Sequence, residues 1–390
     1  MTLDKAEALL HCAVMSLGKH SSSRVGRCVL AALAASLVIA ALPGFGDETD
    51  NFRLPLDVDM ADLGDYLDVV HMLALEGAVN EVNADIEQAL KVRDANARAK
   101  RLAALHKPET LAGALDRQFG LTVFETRAVD AALKSAWAHQ TYPGLKTSHH
   151  SIRMNFTAKI PLDLRIMCLF VQAPTVRAYD VYFGTDKLTH FHHLGWSYYK
   201  MYRSLRAAGV SEEEAYRKVI YHHAEGGLLA EGNCYGRLGT GVYSNGDMAA
   251  NYLGFKFFLN LTEPVMLERT NRPPLAVRCG VFWRINDQVR PDSGWFRPFI
   301  SDHWNEALNP CYYDWTMRAG IRRVLRHRAR DIVQFYTRKA GRPAEAAYYD
   351  NLARELSTYY GEPYGYYGQL GKLMTIGNTC LPALNSAQPR

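Results

Sequence analysis

Gly209, Ser211 and Glu214 mark where one helix stops and the next begins, and they tie the middle of this chain to a helical hairpin. A helix starting near Thr185 or Asp186 would end at Gly209, because glycine enters the left-handed conformation that closes a helix at little steric cost. Ser211 then sits where a helix N-cap belongs, with Glu214 three residues on in the pattern of a capping box. The second helix is expected to run to about Ala230. Helical spacing recurs elsewhere. From Ala61 to about Leu105, Val79, Val82, Ile86 and Leu90 track one face, and His106-Lys107-Pro108 breaks the run. Further helices are expected near 109–118, 124–139, 313–339 and 342–357. Ile152, Met154, Phe156, Ala158 and Ile160 alternate strictly and Pro161-Leu162-Asp163 follows, which predicts a small hairpin over about 150–170. The fold class expected is mainly α: a single helical domain with a small β-hairpin and loop-rich insertions.

Residues 24–46 bear on location. Arg24 and Arg27 precede an apolar run from Cys28 to Leu42, and Gly44-Phe45-Gly46 follows, the pattern of an export signal. The run falls short of the roughly 20 residues that span a bilayer. Residues 1–46 are therefore expected to be a leader with signal peptide, with Met15 as an alternative start. Residues 47–390 are expected to form one helix-rich envelope domain, periplasmic or secreted. Its motif core lies at about 176–262 and its basic helices at about 313–357. Cys168, Cys234, Cys279, Cys311 and Cys380 remain in that part, an odd number without a C-x-x-C, so neither a structural zinc site nor a redox motif is indicated. The formal charge of +5 is too mild to indicate nucleic acid as a partner. Arg318, Arg322, Arg323, Arg326, Arg328 and Arg330 concentrate positive charge late in the chain. They form either a solvated face or a peripheral contact with an anionic membrane surface or a phosphate-bearing polymer.

The densest polar chemistry lies in residues 186–251. Asp186, His190 and His193 are spaced to share one helical face, as are His222 and Glu225 on the next helix. Glu231, Ser244, Asp247 and Asn251 follow across a glycine-rich stretch. Facing ionisable stripes cost energy to bury unless paired, so they constitute either a site or an internal network. Three readings stay open. In the first, an envelope glycan (peptidoglycan or another envelope polysaccharide) is hydrolysed by a carboxyl pair, with Glu225 as acid, Asp247 as partner and Glu231 as reserve, and without a cofactor. Asp186, Lys187, His190, Ser244, Asn251 and Trp304 would bind substrate, with aromatic rings around Trp295 and Trp304 stacking on sugar. In the second, Asp186, His190, His193, His222 and Glu225 bind zinc or iron for a metal-dependent hydrolysis, although no H-E-x-x-H is present. In the third, the protein is non-catalytic and the cluster is an internal clamp. Asp302-His303-Trp304-Asn305-Glu306 mixes acid, base and aromatic in a loop that would border a site.

Asp186-Lys187-Leu188-Thr189-His190-Phe191, a later glutamate, and Ser244, Asp247, Asn251 and Gly254 together resemble the VanZ-like family and related small bacterial envelope lipoproteins. VanZ-like proteins are multi-pass membrane proteins linked to glycopeptide resistance, and this chain lacks their long apolar spans. The resemblance implies an envelope role and no particular reaction.

Overall fold

The computed structural model describes residues 49–119, 132–152 and 173–386, apart from 229, 234, 235, 239, 292 and 369. The export signal, nearly all of the hairpin expected at 150–170, the start of the helix expected at 124–139, Cys168 and Cys234 lie outside the described residues. The fold is mainly helical, with small two-stranded antiparallel sheets. Cys279 and Cys380 are free thiols.

Helix α1 spans Gly64–Leu90, α2 spans Ala95–Leu105 and α3 spans Pro108–Phe119. The single run expected through 61–105 is thus two helices. Asp94 stops the first continuing smoothly into the second, because its carboxylate caps α2 by accepting the Ala97 N–H at 2.7 Å. Val79, Val82 and Ile86 are buried, while Leu90, the last residue of α1, is exposed. Strands β1 (Thr175–Ala178) and β2 (Val181–Gly184) make a tight hairpin, with Val176 opposite Phe183. Its turn residues Tyr179 and Asp180 have positive φ, unusual for side-chain-bearing residues. The Asp62 carboxylate offsets that strain by accepting both of their backbone N–H groups at 2.8 Å.

Immediately after β2 the chain enters α4 (Asp186–Thr189), passes through a π turn at His190–Leu194, and continues as α5 (Gly195–Ala207). Gly209 has φ of +83°, as the sequence requires. Helix α6 (Glu212–Tyr221) is capped by Ser211, whose hydroxyl accepts the Glu214 N–H. It ends in a π turn at His222–Gly226 rather than near Ala230. Strand β3 (Val242–Tyr243) leads into α7 (Asn245–Asn260), every residue of which is buried. A helix apolar on most sides and enclosed on all of them is the axis around which the rest packs. Strands β4 (Val265–Leu267) and β5 (Thr270–Arg272), then β6 (Ala276–Cys279) and β7 (Phe282–Ile285), form two further hairpins. Strand β8 (Tyr312–Tyr313) returns to pair with β3, Val242 facing Tyr313.

The basic segment is interrupted at Arg328, giving α8 (Trp315–His327) and α9 (Ala329–Gln334), followed by a π turn at Phe335–Lys339. Helix α10 covers Ala346–Glu355 and α11 covers Leu381–Ser386. Two apolar clusters result. The larger packs α1, α3, α5 and α7 together; the smaller joins α8 to α11 with Phe52, Leu54 and Val242. No helix among the described residues is long and apolar enough to cross a membrane.

Candidate functional site

The sequence folds its polar residues into a closed ion cage between the two apolar clusters. Lys187, in the first turn of α4, is fully buried, and its Nζ lies 2.8 Å from Asp186 Oδ2, 2.5 Å from Asp247 Oδ1 and 2.7 Å from Glu306 Oε1. An ammonium has three N–H donors, and here three carboxylates surround it. Ser244 links the cage to the central helix. Its hydroxyl donates to Glu306 Oε1 at 2.7 Å and accepts the Asp247 N–H at 3.0 Å, so one oxygen caps α7 and holds a cage member. The N-terminal end of α7 carries partial positive charge, which favours the Asp247 carboxylate in its first turn.

A surrounding layer fixes these groups. Thr49 donates to Asp186 Oδ1 at 2.8 Å, and Asn51 accepts the Glu306 N–H at 3.0 Å. Tyr336 donates to the Asn51 carbonyl at 3.0 Å. Glu231 Oε1 accepts the Ser244 N–H at 2.8 Å. His190 places Nε2 3.3 Å from Asp247 Oδ2 and Nδ1 3.0 Å from Asn251 Oδ1.

Four buried carboxyls face one lysine, so the cage cannot hold them all ionised cheaply. Burial alone would push the Lys187 ammonium down, but Asp186, Asp247 and Glu306 outweigh it and hold its pKa well above the ordinary lysine range. Burial pushes Glu306 up to about 7, against the pull of Lys187. Burial, with the charge of Asp247 added, holds Glu231 well above the ordinary range too. Asp186, Asp247 and Glu306 offer ligand oxygens within 4.8 Å of one another, so this is a buried acidic cluster capable of coordinating a metal ion.

The structure brings together Asp186, His190, Glu231, Ser244, Asp247 and Asn251 from the polar stretch, with Lys187 at their centre. It adds Glu306 from the loop expected to border a site. The remaining sequence candidates are placed elsewhere. Glu225 lines a separate cavity. Trp304 is fully buried, edge-to-face with Phe183 at 5.1 Å, and Trp295 is buried with its indole N–H on the Asp68 carbonyl. Both rings are therefore core members in this arrangement. Among the described residues, the grouping with metal-ligand spacing is the carboxylate one, and His190, His193 and His222 are not part of it.

A second buried polar pair lies apart from the residues whose spacing the sequence marks. His192, not its neighbour His193, turns into the core, where its Nε2 lies 2.9 Å from Nε2 of His71. His71 Nδ1 donates to the Leu67 carbonyl at 2.8 Å, so Nε2 of a neutral His71 accepts and His192 donates. Phe296 stacks on His71 at 3.7 Å and Phe119 on His192 at 3.9 Å. Helical phase around α1 was the available signal, but a π turn shifts the face that His192 presents.

These imidazoles predict acid lability. Burial drives His192 and His223 down to about 3, His303 to about 4 and His71 well below its ordinary value. The unfolded chain takes up those protons below about pH 6.5 while the fold does not, so each contribution is present above that pH and is lost as pH falls, by about 1.4 kcal/mol per unit. Glu306 and Asp116, raised to about 7 and about 6, act in the opposite sense until unfolded carboxylates also protonate near pH 4. Four imidazoles outnumber two carboxyls, so urea midpoints should fall from about pH 6.5 downward and more steeply below about 4.5. Unchanged midpoints down to pH 3.5 would contradict this assignment of the imidazoles as neutral.

No family model, no curated protein and no solved structure matches this chain. The resemblance to the VanZ-like family is corrected, because no helix among the described residues is long and apolar enough to cross a membrane, and no matching family supports the hydrolase description. The motif residues form an ion cage inside a helical body, and their most apolar helix, α7, is enclosed by protein rather than exposed along its length to lipid.

Proposed function

We propose that this chain is an exported, non-catalytic envelope protein in which the Lys187 cage is a structural clamp and a neighbouring cavity binds an envelope glycan. The observation that carries this reading is the position of Lys187 Nζ, fully buried among three carboxylates. The residues best equipped for acid–base or nucleophilic chemistry are consumed in pairing with one another. Glu225 and Asp247, considered from sequence as an acid and its partner, are divided between the cavity wall and the cage.

The cavity measures about 1180 Å³, ample for several sugar rings, and Tyr216, Tyr243, Tyr252, Tyr364 and Tyr367 help to line it. Tyrosine offers an apolar face to the C–H side of a sugar and a polar edge to its hydroxyls. Several of these rings are locked. Tyr243 donates to the Gly365 carbonyl at 2.6 Å, and Arg237 lies over Tyr367 while donating to its hydroxyl at 3.0 Å. Glu225 supplies an anchor, since among the described residues its buried Oε1 has no hydrogen-bond partner. Clamp and cavity are coupled through one peptide bond: Tyr243 lines the cavity, and the next residue, Ser244, belongs to the cage.

The expected result is binding without turnover. Calorimetry with soluble peptidoglycan strands should show saturable heat that Glu225→Gln or Tyr243→Phe weakens, and chromatography should show no fragment release over hours. Fragment release by wild type would restore a catalytic reading, and absence of heat would remove the glycan.

The carboxylate excess favours a metal-dependent reading as the alternative. In it, a divalent ion would displace the Lys187 ammonium from Asp186, Asp247 and Glu306.

A further inference from the structure

We propose that the outer face of α8 and α9 is a docking surface for an anionic phospholipid bilayer. Helix α8 turns Met317, Ile321 and Leu325 into the smaller apolar cluster. At 100° per residue, Trp315, Ala319, Arg322 and Arg326 then form a narrow stripe on the opposite side, flanked by Arg323. Arg322, Arg323, Arg326 and Arg330 are all exposed, and Trp315 is 77 % exposed.

Two neighbouring arginines show what the fold does with a guanidinium it needs. Arg318 stacks over Tyr312 at 4.4 Å and donates to the Tyr313 carbonyl, and Arg328 pairs with Asp331 at 3.3 Å. Arg322, Arg323, Arg326 and Arg330 have no such partner among the described residues. Arg322, Arg323 and Arg326 bring three like charges together on the outer side of α8, and Arg330 adds a fourth just beyond it on α9. An anionic surface would offset their repulsion.

The kind of surface follows from Trp315. Indole is the side chain best suited to the boundary between headgroups and acyl chains, and this one projects at the start of the arginine stripe. Arginines reaching phosphates beside an inserted indole match a headgroup layer better than a soluble polyanion, which offers no apolar layer for the ring. The apolar side of α8 is already occupied by the protein core. Contact is therefore peripheral and electrostatic, and salt should weaken it.

The test is cosedimentation of residues 47–390 with vesicles of one part phosphatidylglycerol to three parts phosphatidylcholine, and with pure phosphatidylcholine vesicles. Expected are binding to the first at low salt, release at high salt, and none to the second. The double variant R322E/R326E removes two attractions and adds two repulsions, so it should lower the partition constant by more than roughly 30-fold, and Trp315→Ser should also lower it. All three positions are exposed, so melting temperatures should match wild type, and circular dichroism would confirm that weakened variants are folded. Equal partition of wild type and R322E/R326E, no binding to phosphatidylglycerol at low salt, or tighter binding to soluble polyphosphate than to vesicles would overturn the proposal.

Discussion

Lys187→Met is expected to cost about 3–5 kcal/mol, the range found when one member of a buried ion pair is removed and its partners stay behind. Methionine fills a similar volume but leaves Asp186, Asp247 and Glu306 facing one another with no cation between them. For a domain of this size the loss corresponds to a fall of roughly 5–7 °C in melting temperature. Adding Asp247→Asn to the same chain should recover part of the loss, because it removes one of the charges left unpaired. Thermal unfolding followed by circular dichroism reads both effects. A Lys187→Met protein as stable as wild type would show that the cage holds nothing together.

Gly254→Ala is the second large effect, and its cause is close backbone approach. A Cβ at Gly254 would lie 1.8 Å from the Phe191 carbonyl oxygen and 2.6 Å from its carbon, and a Cβ at Gly195 would lie 2.6 Å from the Gly254 backbone. Main chain cannot step aside as a flexible side chain can, so α7 and the π turn would have to separate. Overpacking of this kind costs about 3 kcal/mol or more. Gly113 is the control. It lies within α3, where an added Cβ would come no nearer than 3.7 Å to the Arg117 side chain, and alanine there should stabilise by up to about 1 kcal/mol. Equal melting temperatures for the two alanine variants would contradict the packing described.

Much of the helical frame was legible because it is written in local chemistry. Gly209, the Ser211 cap and Pro108 at the start of α3 each act within a few residues of themselves. The spacing of Asp186 and His190, and the polar run Glu231, Ser244, Asp247 and Asn251 after it, likewise foretold a shared polar region, whereas Glu225 of the same reading lines a separate cavity. Three things were not legible. Glu306 joins the cage from 119 residues beyond Lys187, and no local periodicity carries that information. The π turns at 190–194 and 222–226 shift helical phase, which is why His192 rather than His193 enters the core and why α6 stops early. Lys187 was read as one substrate-binding residue among several, whereas its place at the centre of three carboxylates emerges only once the chain is folded. Gly254 entered as part of a family-like motif, and the structure gives it a steric reason that needs no family.

The clamp and the metal centre differ in which cation belongs in the cage, so a metal titration of the wild-type protein separates them. After dialysis against chelator, zinc, manganese and calcium are added in turn while the melting temperature is followed. With Lys187 as the resident cation, the midpoint should be unchanged by chelator and should stay within about 1 °C on addition of each ion, since an ion binding the fold tightly would raise it with the logarithm of its free concentration. A loss of stability in chelator, restored by one equivalent of a single metal, would contradict the clamp and make Asp186, Asp247 and Glu306 its ligands.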